Sequence, residues 1–123
     1  MDSRKLALLC RELADNKKAE DILILDVRKL SSITDYFVIA TGQNIRQIHA
    51  IADSVKDALA ERGDKPAYLE GGDKAGWILL DYFDFIVHIF NPETRLFYAL
   101  ERLWGNATRI DIPDPAPISP QAG

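Results

Sequence analysis

Apolar residues in this chain follow two different periods, and the switches between them outline the fold. Leu6, Leu9, Cys10, Leu13 and Ala14 recur at three- and four-residue spacing. They predict a first helix, capped by Ser3 and stopping near Asn16. After the charged connection Lys17, Lys18, Glu20 and Asp21, the run from Ile22 to Val27 is broken only by Asp26 and predicts a strand; Tyr36 to Thr41 predicts a second. The connection between them, about eight residues long, is too short for a helical crossover, so the pair is expected to be antiparallel. Gly42-Gln43-Asn44 supplies a break and a cap. Ile45, Ile48, Ala52, Val55 and Leu59 then form the buried stripe of a long helix that Gly63 stops. A short strand over Ala67 to Glu70 follows, and the helix before it predicts a right-handed crossover to a position parallel to and beside the second strand.

The densest apolar stretch is Gly76 to Phe90, two β-type runs around the joint Asp81-Tyr82-Phe83-Asp84, which predicts a hairpin. Alternation puts Trp77, Leu79 and Asp81 on one face and Ile78, Leu80 and Tyr82 on the other. Phe85 to Phe90 is apolar on both faces apart from His88, the pattern of a central strand covered on both sides. Asn91-Pro92-Glu93-Thr94 is a helix start, and Leu96, Leu100 and Leu103, flanked by Phe97 and Trp104, carry that helix to Gly105. Pro113, Pro115, Pro117 and Pro120 mark the remainder. The expected organisation is one α/β domain over residues 1–108, a mixed sheet of about five strands flanked by helices, with a Pro-rich, disordered tail over residues 109–123.

Composition narrows the function. Hydrophobic residues at 47% and charged residues at 28% suit a folded domain, and a net charge of −4 gives no electrostatic reason to wrap naked nucleic acid. A basic partner surface suits it better. One cysteine, no run near the roughly 20 apolar residues of a membrane span and no signal-peptide pattern make the cytoplasm the default expectation.

The most site-like group lies around Trp77, where Glu70, Asp73, Asp81 and Asp84 outnumber Lys74. A partly exposed Trp77 in an acidic rim would anchor a basic protein surface; a Trp77 inside the core would not, and composition favours neither. An enzyme of nucleotidyltransferase type shares this skeleton and is the alternative. Its chemistry needs Gly-Ser at a helix start and an Asp-x-Asp pair holding two divalent ions, yet Gln43 follows Gly42 and no Asp-x-Asp occurs. Asp81 and Asp84 are the nearest substitute, and neither a metal nor a cofactor is expected. His88 is read as a core histidine before a general base, Cys10 as a packing residue and His49 as a solvated one.

Beyond the physical reading, the run Ser31-Ser32-Ile33-Thr34-Asp35-Tyr36-Phe37-Val38-Ile39-Ala40-Thr41-Gly42 resembles a known family. So do Ile51-Ala52-Asp53, Glu70-Gly71, Trp77 to Tyr82, Asp84 to Phe90 and Arg95 to Trp104. These segments, in this order, are similar to the ribosomal silencing factor, or Iojap-like, family. The resemblance implies a non-enzymatic translation repressor with a nucleotidyltransferase-like fold. It implies binding to the large ribosomal subunit at its universal protein fourteen, a steric block of small-subunit joining under nutrient limitation, and homodimers off the ribosome. Carried onto this sequence, the contacts fall on Trp77, Ile78, Leu79, Asp81, Tyr82 and Asp84. One position departs from the family pattern: Phe83 stands where glycine is common, which matters if its φ is positive.

Overall fold

The protein is seen in a computed structural model that describes residues 2–71, 76–98 and 108–110. Helix α1 (Ser3–Asn16) is capped by Asp2 instead of Ser3, its carboxylate accepting from the Arg4 N–H (3.0 Å) and the Lys5 N–H (3.4 Å). Helix α2 (Ile45–Glu61) starts at Asn44, whose side chain accepts from the Gln47 N–H at 2.8 Å, and buries Ile48, Ile51, Ala52, Val55 and Leu59. Helix α3 (Pro92–Tyr98) begins the same way, with the Thr94 N–H donating to Asn91 Oδ1 at 2.7 Å. The expected continuation of α3 to Gly105 lies outside the described residues.

Among the described residues six strands, β1 (Glu20–Asp26), β2 (Tyr36–Thr41), β3 (Tyr68–Glu70), β4 (Trp77–Asp81), β5 (Phe85–Phe90) and β6 (Thr108–Arg109), form one mixed sheet in the order β3-β4-β5-β2-β1-β6. The β1–β2 and β4–β5 pairs are antiparallel hairpins, as expected, and a parallel β2–β5 pair joins them, Tyr36 facing Phe85 and Thr41 facing Phe90. We call the C-terminal ends of β2 and β5 the top of the sheet. Two expectations about the strands are corrected. The strand after α2 is not the neighbour of β2; it is the edge strand, bonded among the described residues to β4 alone, and β5 takes the central place because it is the more apolar strand. Residues 109 and 110, expected in the tail, also belong to the sheet: Arg109 pairs with Leu25 in β6, the Ile110 N–H donates to the Ile24 carbonyl (3.1 Å), and Ile110 packs on the core.

The sheet separates two cores. On one face α1 and α2 cover Ile22, Ile24, Tyr36, Val38, Ala40, Ile78, Leu80, Phe85, Val87 and Ile89. Cys10 is fully buried there, burial pushing its thiol up to about 12, so it is a packing residue and not a nucleophile. The opposite face holds Leu25, Val27, Phe37, Ile39, Ile86 and Phe90, with Leu23, Trp77 and Leu79 partly buried against them. At the top of this face α3 reaches across through Arg95, which donates to Thr41 Oγ1 (2.8 Å) and to the Asp21 carbonyl. His49 is not the solvated histidine expected: it is partly buried and its Nε2 has no hydrogen-bond partner.

Candidate functional site

Register decides which side chains share the second face near the β3 edge. Tyr68 faces Asp81 and Glu70 faces Leu79 across the β3–β4 pair, while Trp77 faces Phe90 and Leu79 faces His88 across β4–β5. Residues directly opposite in a sheet point to the same side. Tyr68, Glu70, Trp77, Leu79, Asp81 and His88 therefore form one surface. Tyr68 is 52% exposed, and the Glu70 carboxylate beside it raises its hydroxyl pKa. Trp77, Leu79 and Asp81 are partly exposed. The surface grades from the closed apolar core over β2 and β5 to an open, aromatic and acidic rim at β4 and β3.

The chain fixes Trp77 from both ends. The Gly76 carbonyl before it accepts from the Asn91 N–H (2.8 Å) and from Thr94 Oγ1 (2.7 Å), tying the start of β4 to the start of α3. Behind it, Gly71 turns at φ +108 so close that a Cβ there would lie 2.4 Å from the Trp77 carbonyl oxygen. At the other end of β4, Asp81 Oδ1 accepts from the Phe83 N–H at 2.8 Å, so this carboxylate both edges the face and shapes the hairpin turn.

Of the six residues assigned from the family resemblance, the fold brings Trp77, Leu79 and Asp81 together. Ile78 is corrected: it points to the helical side, is 4% exposed and belongs to the core. Tyr82 also lies on the helical side, stacked on Phe85 with ring centroids 5.0 Å apart, and its buried hydroxyl has no partner. Asp84 is exposed in the turn, below the face and not on it. Tyr68 went unnoticed in the sequence; its spacing of two from Glu70 was the available signal, legible only once the β3–β4 register is known. Asp73 and Lys74 lie outside the described residues.

His88 sits among aromatic rings. Its ring meets Phe37 edge-on at 5.3 Å and stacks on Phe90 at 5.7 Å, and this desolvation lowers its pKa to about 4. Among the described residues no group of three His, Cys, Asp or Glu side chains is placed to hold a metal ion. No helix among them is long and apolar enough to cross a membrane.

By fold and site this is a small α/β domain with a mixed sheet, one face sealed by helices and the other ending in an aromatic and carboxylate surface at its edge. Residues 1–122 match the family model described as "Ribosomal silencing factor during starvation". The chain belongs to the ribosomal silencing factor family. It is 39% identical over 112 residues to the ribosomal silencing factor of Bacillus subtilis, covering 91% of this chain and 95% of that one. A mouse protein named "Mitochondrial assembly of ribosomal large subunit protein 1" is 35% identical over 95 residues, covering 75% of this chain and 42% of that protein. A crystal structure of a protein from Chromobacterium violaceum superposes with a TM-score of 0.81 at 33% identity, covering 98% of each chain. The protein is accordingly a ribosome-associated regulator of the kind that acts during starvation.

Proposed function

We propose that the Trp77–Leu79–Asp81 surface, widened by Tyr68 and Glu70, docks on a basic protein surface of the large ribosomal subunit, its universal protein fourteen. Occupancy there keeps the small subunit from joining and so lowers translation when nutrients are short. The observation that carries this reading is the graded face: an aromatic anchor and Leu79, half-open at the sheet edge, beside two carboxylates. The name of the mouse relative, which refers to assembly of the large subunit, supports that subunit as the partner. The action is steric, in the cytoplasm, with no chemical step, cofactor or metal. Asp81 spends one oxygen on the Phe83 N–H, which suits a structural rim acid better than half of a two-ion site. Off the ribosome the protein forms homodimers.

The test is Trp77→Ala, with binding to purified large subunits and thermal stability measured on the same preparations. Binding is expected to weaken by about 2 kcal/mol, roughly thirtyfold. Because Trp77 is only partly buried, the stability loss is expected to stay below the roughly 3 to 5 kcal/mol of a fully buried tryptophan. Asp81→Asn keeps an oxygen for the Phe83 N–H and removes the charge, so it isolates electrostatics; it is expected to slow association and flatten its salt dependence. Unchanged binding in both variants would remove this face from consideration.

A further inference from the structure

At the bottom of the sheet the loop before β2 and the turn before β5 lie side by side, because the Asp35 N–H donates to the Asp84 carbonyl (3.0 Å) and continues the parallel β2–β5 pairing by one step. Three large apolar side chains on these two segments face solvent: Ile33 is 78% exposed, Phe83 71% and Leu30 44%. Phe83 is the unusual one. Its φ is +70, and the Asp84 N–H bonds the Tyr82 carbonyl across it at 2.8 Å. That is a positive-φ γ-turn, strained for any residue with a side chain and easily made by glycine. A ring so exposed returns little folding stabilisation for that strain, and strain of this kind gathers at functional positions.

The turn is also continuous with the face above it, since the Phe83 N–H is held by Asp81, the carboxylate that edges the Trp77 surface. Phe83 further forms the rim of a cleft of about 160 Å³ beside the start of α1, with Asp64 and Lys65 in its lining. Acids are built into the turn itself: Asp81 holds the Phe83 N–H, Asp84 follows the ring and is bonded by the Asp35 N–H, and Asp64 and Lys65 line the cleft beside it. Acids around exposed apolar groups complement a surface that is basic and apolar, the same chemistry that suits the Trp77 face.

We infer that Phe83, with Ile33 and Leu30 on the neighbouring loop, is a second anchor of the same interface, extending the bound basic protein surface from the β3–β4 edge around the bottom of the sheet. The inference rests on the reading of the Trp77–Asp81 face as the ribosome-binding surface. It separates stability from binding in a way that a structural role for Phe83 does not. Phe83→Gly relieves the positive φ, so the melting temperature is expected to rise, while affinity for purified large subunits is expected to fall at least tenfold. Phe83→Asn, a residue that accepts positive φ, is expected to lose affinity equally, and Ile33→Ser to weaken binding several-fold without changing stability. Normal binding by the Phe83 variants while Trp77→Ala binds poorly would overturn this inference and leave the proposed function standing. Normal binding by all of them would overturn both. A change confined to self-association, seen by sedimentation with subunit binding intact, would also overturn it and assign the turn to a second copy of the chain.

Discussion

Acidification from pH 6.5 to about 4 is expected to strip up to about 3 kcal/mol from the stability of this domain, with His88 responsible. The ring lies between Phe37 and Phe90, with Leu79 and Ile39 opposite it on the neighbouring strands, and desolvation disfavours its charged form. In the unfolded chain the imidazole takes a proton near pH 6.5, but in the folded chain only near pH 4. Between those values the unfolded state binds more protons, so stability rises with pH. It is fully present above 6.5 and is lost as pH falls through the window. Urea unfolding at several pH values would show the slope, and His88→Leu is expected to flatten it. A wild-type curve already flat across the window would mean that the ring is hydrated. Asp26, held below the usual carboxylate range by the Arg28 guanidinium, adds a later loss as pH falls further.

Gly71→Ala is expected to be at least as damaging. The methyl group would meet the Trp77 carbonyl oxygen at 2.4 Å and the Ile78 Cα at 3.0 Å, both backbone atoms, at a φ of +108 that residues with a side chain rarely adopt. Strain and overpacking together are expected to cost on the order of 3 kcal/mol. The clash falls on β4 at Trp77, so subunit binding is expected to fall with stability, unlike the Phe83 variants, in which the two move apart. A melting temperature within a degree or two of wild type would show that this loop simply yields.

What was legible in the sequence follows from what periodicity reports. Both hairpins are carried by short β-type runs, the α2 stripe by its helical spacing and the central position of β5 by a run apolar on both faces, and the structure reproduces them. Ile78 is instructive: alternation had set it opposite Trp77, the family resemblance grouped it with Trp77, and the structure follows alternation. The edge position of β3 was not legible because three exposed residues carry no burial signal, so a crossover rule was left to choose its neighbour. Thr108 and Arg109 form β6 through backbone bonds that leave no hydrophobic trace. The cap at Asp2 in place of Ser3 is a one-residue choice between two good acceptors. The Phe83 turn could be flagged, but its positive φ is a backbone property and had to be observed.

The strand order also governs how the chain finds this structure. Each hairpin closes locally, but the parallel seam between β2 and β5 joins Tyr36 to Phe85 across the whole of α2, β3 and β4. The loop-closure entropy therefore falls on the pairs distant in sequence, this six-residue seam and the short β1–β6 pair, and not on the hairpins. A growing chain can form α1, the first hairpin and α2 before β5 has emerged, yet it leaves the β2 edge uncovered until then. Weakening the seam, for example with Val38→Ala or Val87→Ala, is expected to slow refolding, whereas weakening the β3 edge is expected mainly to speed unfolding, a contrast that stopped-flow chevrons would display.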